Sequence, residues 1–164
     1  MNGKNITNLT AKIFVVTGCI VFAGMRGFAQ EPIPLHVSRT LGTVQSLMDK
    51  GLTDQAIDRL DSAIEKGHDH YLLFFTLGNC HMLENHHEKA KNAYRRAVSR
   101  APDFVPALLN LAKTYFELQQ YGEAGEMFVT AYDRSGEKKA EILYYASSAF
   151  LTGDQPEVAL AVFR

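Results

Sequence analysis

The chain has 164 residues, 46% of them hydrophobic and 21% charged, which suffices for one domain with a sizeable core and argues against disorder. Its formal net charge is −1, but Lys4, Lys12 and Arg26 all precede residue 30, where no acidic residue occurs, so the remainder holds 14 Lys and Arg against 18 Asp and Glu, a net of −4. That balance lacks the basic footprint that neutralising a phosphate backbone requires, and nucleic acid is not an expected partner.

At the N-terminus, Lys4 and Lys12 precede an apolar run from Ile13 to Met25 that falls short of the ~20 residues a spanning helix needs. Gly27 and Ala29 then stand three and one positions before a cut that would leave Gln30 first. Residues 1–29 therefore read as a signal peptide, with an uncleaved anchor as the alternative, and residues 30–36 as a linker carrying Pro32 and Pro34. The tetrapeptide Val16-Thr17-Gly18-Cys19 offers a third fate, lipidation at Cys19, but the apolar run continues past it through Ile20, Val21 and Phe22. The expected location is outside the cytoplasm, periplasmic or secreted, with membrane attachment only through an uncleaved or lipidated N-terminus. After cleavage only Cys80 remains, so no intramolecular disulfide can form and stability must come from packing.

From residue 37 onward the sequence repeats with a period of 34: Ala56 is followed by Ala90, Ala124 and Val158; Leu60 by Tyr94, Phe128 and Val162; Ala63 by Ala97 and Ala131. Small side chains at a contact point with a large one beside them suit two helices that cross closely. Within one unit Phe74, Leu77, Gly78 and His81 share a helical stripe, and Ala90, Ala93, Tyr94 and Ala97 share another. Glu84-Asn85-His86-His87 is a polar turn between the two, and Pro102 ends the second helix.

These residues resemble the tetratricopeptide repeat family. Counted from Tyr71, the second unit has Phe74 at position four, Leu77-Gly78 at seven and eight, Ala90 at twenty, Tyr94 at twenty-four, Ala97 at twenty-seven and Pro102 at thirty-two; His81 stands where the family has Tyr. The third unit, from Val105, supplies Leu108, Leu111, Ala112, Tyr115, Ala124, Phe128 and Ala131, with Gly136 in place of Pro. The fourth, from Lys139, supplies Ile142, Tyr145, Ala146, the turn Gly153-Asp154, Val158 and Val162. The first is regular only from Gly51 onward, and residues 36–50 read as a capping helix. The expected units are 37–70, 71–104, 105–138 and an incomplete 139–164, and the implied fold is an all-α, right-handed superhelical solenoid.

The resemblance implies a concave groove, lined mainly by first helices, that binds a protein or peptide. Family groove positions five, nine and twelve hold Leu41, Phe75, Leu109 and Leu143, then Gln45, Asn79, Lys113 and Ser147, then Met48, Met82, Phe116 and Phe150; Asn110 stands at position six. The candidate groove residues are Phe75, Asn79, Met82, Leu109, Asn110, Lys113, Phe116, Leu143, Ser147 and Phe150. Two rows are apolar and one is polar, which suits an extended segment or a helix with hydrophobic anchors; equally, the apolar rows can be packing between helices. Position five never supplies the Lys of the family's carboxylate clamp.

Six histidines invite a metal reading, but His70 and His86 would lie about 24 Å apart along one helix, so no metal and no cofactor is expected and the histidines read as turn-exposed. His36 adds nothing to that cluster. There is no Gly-rich phosphate loop or paired His-Glu-x-x-His spacing, and Cys80 reads as a packed thiol, so no catalysis is expected. The fourth unit stops at Arg164 without a polar cap; the alternative function is thus a structural or self-associating module that docks through its C-terminal end, or a fragment of a longer array.

Overall fold

Eight α-helices follow one another through residues 32–163, the part that this computed structural model describes. They are α1 (Leu35–Asp49), α2 (Thr53–Glu65), α3 (Tyr71–Leu83), α4 (His87–Arg100), α5 (Val105–Glu117), α6 (Tyr121–Arg134), α7 (Ala140–Thr152) and α8 (Pro156–Ala161). The signal-peptide reading of residues 1–29 falls outside the described part. Each helix packs on the next in the chain, so consecutive pairs form helical hairpins stacked in order. The capping segment is a full helix of 15 residues that starts at Leu35, two residues before the expected unit, and buries Val37, Thr40 and Val44.

The turn inside every hairpin is the same. In each, a residue in the left-handed region follows the first helix: Gly51 (φ 72°), Asn85 (57°), Gln119 (59°) and Asp154 (57°). One residue later, an amide N–H reaches back to a carbonyl five positions earlier: Leu52 to Leu47 at 2.9 Å, His86 to His81 at 2.8 Å, Gln120 to Tyr115 at 2.9 Å and Gln155 to Phe150 at 2.8 Å. This closure satisfies carbonyls that the end of a helix would otherwise leave unpaired.

These bonds also fix the register, and they correct the fourth unit. Leu47, His81 and Tyr115 are 34 residues apart, but the step to Phe150 is 35. The extra residue lies in the connection Ser135–Lys139, which is one longer than Ala101–Phe104. There the Lys138 ammonium caps the α6 carbonyls of Tyr132 and Asp133 at 3.2 and 3.0 Å. The fourth unit accordingly begins at Ala140 rather than Lys139, and position twenty is Ala159 (1% exposed), not Val158 (43%). Counting on puts position twenty-four at Phe163, but Phe163 is 59% exposed, and it is Val162 that is half-buried against the cluster of Leu108 and Phe128.

Packing holds the stack. Leu60, Leu73, Phe74 and Leu108 are fully buried, and each contributes about 1.5–3 kcal/mol. The last turns of α4 and α6 each send an arginine to an aspartate in the connection before their own unit, Arg100 to Asp69 and Arg134 to Asp103. Exposed pairs of this kind contribute about 0–1 kcal/mol each, so they trim the stack rather than hold it.

Two substitutions should move stability in opposite directions. A Cβ on Gly125 would sit 2.6 Å from the Phe150 ring, and Gly125→Ala is expected to cost about 1–3 kcal/mol in urea unfolding. Gln119→Gly, which relieves the left-handed strain of a residue bearing a Cβ, is expected to gain about 1 kcal/mol in the same assay.

Candidate functional site

Tyr94 organises the polar part of the first-helix surface. Its ring lies against Gly78, where an added Cβ would come within 2.5 Å of it. That close seat brings the hydroxyl to Asn79 on α3, where it donates to Oδ1 at 2.7 Å. Asn110 on α5 donates through Nδ2 to the same oxygen at 2.9 Å and to the Tyr94 hydroxyl at 3.4 Å. Burial holds the Tyr94 phenol above its ordinary pKa, so it stays a donor. Asn79 Oδ1 therefore accepts two bonds. The Asn79 NH2 and the Asn110 side-chain oxygen carry no hydrogen bond among the described residues. That leaves one donor and one acceptor, the chemical complement of a peptide group's C=O and N–H. Lys113, one turn beyond Asn110, is exposed.

The apolar candidates divide their surface between neighbours and solvent. Phe75 meets Phe104 edge-on at 5.1 Å and lies 6.0 Å from Tyr94. Leu109 packs on the cluster of Leu108, Ala112, Phe128 and Ala131. Met82 packs on Ala90, Tyr94 and Leu111, with its sulfur 3.4 Å from the Thr114 hydroxyl. Phe116 sets its ring edge-on to Tyr121 at 5.1 Å. All four are half-buried, so they help join one unit to the next whatever else they touch.

In the fourth unit the shifted register changes the candidates. Phe150 is 5% exposed and sits at position eleven, beneath Gly125. Leu143 and Ser147 are half-buried, and the Ser147 hydroxyl donates to the Ala159 carbonyl at 3.4 Å. Positions five, nine and twelve are instead Tyr144, Ser148 and Leu151, of which Tyr144 is 65% and Leu151 57% exposed. A signal for this existed in the sequence, because Ala124 to Ala159 and Phe128 to Phe163 match better at 35 residues than Val158 and Val162 do at 34.

The histidines are not uniformly turn-exposed. His81 is 7% exposed, in the core stripe of α3, and its burial lowers its pKa from the ordinary value. His68, His70 and His87 are half-buried. His36 does join a cluster: its ring centroid lies 4.2 Å from that of His68. Among the described residues no three His, Cys, Asp or Glu side chains converge as a metal site. Cys80 is buried with its Sγ 3.7 Å from the Met48 sulfur, and burial pushes the thiol up to about 11.

Hairpins that complete their core only against their neighbours define an α-solenoid repeat protein. Two family profiles, both described as tetratricopeptide repeat, match residues 41–103 and 81–134. The chain belongs to the tetratricopeptide repeat family. Among solved structures it is similar to a MamA protein (18% identity, TM-score 0.65, covering 76% of this chain and 67% of that one). It is similar also to MamA residues 41 to the end from Desulfovibrio magneticus RS-1 (17% identity, TM-score 0.64, 76% and 70%). A third is YrrB, described as a TPR protein with an unusual peptide-binding site (19% identity, TM-score 0.66, 76% and 64%). At these identities the likeness gives the fold, an all-α right-handed solenoid. No curated protein matches the chain significantly.

Tyr94→Phe, which strips the hydroxyl from the Asn79–Asn110 network, is expected to cost about 1–2 kcal/mol in thermal or urea unfolding. With its pKa at about 11, Cys80 should be thiolate in only about one molecule in a thousand at pH 8. Alkylation by iodoacetamide should therefore be slow in the native chain and fast in urea.

Proposed function

We propose that this chain is a scaffold that holds an extended polypeptide along the first-helix surface of its second to fourth units, outside the cytoplasm. The family fold supports a protein-interaction role in general. The observation that carries the finer reading is the donor left on Asn79 and the acceptor left on Asn110, two side chains that the Tyr94 hydroxyl holds in place. That pair suits a ligand main chain, which is the same in every peptide. Sequence preference would then come from the half-buried Phe75, Met82, Leu109 and Phe116 and from the exposed Tyr144 and Leu151. Lys113 is the one cation among the candidate groove residues, which favours a peptide with a single acidic residue over an acidic tail. One structural relative is itself described as having an unusual peptide-binding site. In this reading the chain performs no chemistry and needs no cofactor.

Location rests on the segment that contains Lys4, Lys12, the apolar run Ile13–Met25 and Ala29. No helix among the described residues is long and apolar enough to cross a membrane.

Random dodecapeptides selected by phage display on the full chain should bind an Asn79→Ala, Asn110→Ala variant at least tenfold more weakly, corresponding to two lost hydrogen bonds of about 1 kcal/mol each. Equal binding to both proteins would remove these amides from the site. Intact-mass analysis of the protein recovered from its own cells should find a chain that begins at Gln30; a mass that includes residues 1–29 would count against cleavage, and a lipid adduct on Cys19 would favour the lipidated form.

A further inference from the structure

The connection between α2 and α3 carries His68 and His70, and the fold brings His36 of α1 against the first of them. His36, in the first turn of α1, meets His68 with ring centroids 4.2 Å apart and the rings tilted by 44°. His70 is the N-cap of α3: its Nδ1 accepts the N–H of Leu72 at 3.3 Å, and its ring stacks on Tyr71 at 4.7 Å. It is the only helix N-cap among the described residues that uses a side chain. His68 Nδ1 is buried and has no hydrogen-bond partner among the described residues.

We propose that these three imidazoles form an acid-sensitive latch, which keeps α1 on the stack while they are neutral and loosens it when they take up protons. A proton would disturb each of these contacts in a different way. Charges on His36 and His68 would repel across a ring contact. A proton on His68 Nδ1 would create a buried donor with nothing to receive it. A proton on His70 Nδ1 would end its bond to the Leu72 amide and put a positive charge at the positive end of the α3 dipole.

The surrounding charges do not compensate. Asp69, the carboxylate between two of the histidines, is held by the Arg100 guanidinium on α4 through Nε and, at 3.1 Å, Nη2; Arg96 also acts on it. On α1 the nearest charged residue along the helix is Arg39, a cation. At the end of α2 Glu65 and Lys66 are adjacent and exposed. From α3 the facing group is the Tyr71 phenol, whose pKa burial raises, so it is neutral at acid pH.

Burial, and then the charge of His36, hold His70 below the ordinary imidazole pKa. The folded form thus binds a proton less readily than the unfolded one. The stabilisation from this group is complete above pH ~6.5 and is lost as pH falls below that. Because α1 carries Leu41 and Gln45 at groove positions, its release would shorten the first-helix surface from one end. The latch does not depend on the peptide-binding reading.

His81 shifts in the same direction, so global stability cannot separate the two and a local measurement is needed. Amide hydrogen exchange of the full chain, read by mass spectrometry at pH 7.5 and 5.5 and corrected for intrinsic rates, compares α1 with α5 and α6. At pH 5.5 α1 should exchange up to about tenfold faster relative to α5 and α6, the most that one imidazole with an ordinary unfolded pKa of ~6.5 can contribute at that pH. The differential should vanish in His36→Gln, His68→Gln and shrink in His70→Asn, which keeps an N-cap acceptor that does not titrate. The proposal is overturned if α1 shows no extra loss of protection at pH 5.5, or if the loss persists unchanged in the variants. Should circular dichroism show that the double variant does not fold, the wild-type comparison and His70→Asn decide between these outcomes.

Discussion

Each hairpin in this chain can bury its apolar face only against the hairpins beside it, and what permits the close approach is a small residue followed one turn later by a large one. Ala56 and Leu60, Ala90 and Tyr94, and Ala124 and Phe128 form these pairs, all buried; in the last hairpin Ala159 is buried, with Val162 rather than Phe163 against the core. The alanine lets the helices draw together, and the larger side chain fills the groove that results. Gly78 takes the same principle to its limit, since the Tyr94 ring occupies the space where a Cβ would be.

The polar surface is a by-product of that packing. Tyr94 enters the core for its ring, yet the direction from which it enters delivers its hydroxyl to Asn79, and Asn110 from the next unit completes the triangle. A side chain fixed by the core thereby orients two surface amides. The apolar side chains nearby are half-buried for a related reason, because a residue on the inner face of one hairpin must also meet the next hairpin.

The two ends of the described stack differ from its middle. At the N-terminal end the connection beside α1 carries His68 and His70 with an engaged carboxylate, and His36 of α1 meets His68 there. At the other end Leu151, Leu160 and Phe163 are exposed, and the longer connection Ser135–Lys139 has already moved every later side chain one position along the helix surface.

The sequence by itself determined the class of fold, the hairpin as the unit, and the first-helix residues of units two and three, including Asn79, Asn110 and Lys113. These were legible because spacing along a helix dictates which residues share a face, and the alanine-to-aromatic alternation survives in three registers at once. Only the tertiary structure decided the rest. One inserted residue rotates the following helix by about 100°, which turned Phe150 inward and Tyr144 and Leu151 outward, and a strict 34-residue period could not reveal it. Nor could the period show that Tyr94 joins the two asparagines, or that His36 meets His68. Those contacts cross from one helix to another, and their distance depends on how closely the helices pack rather than on how far apart the residues lie in the chain.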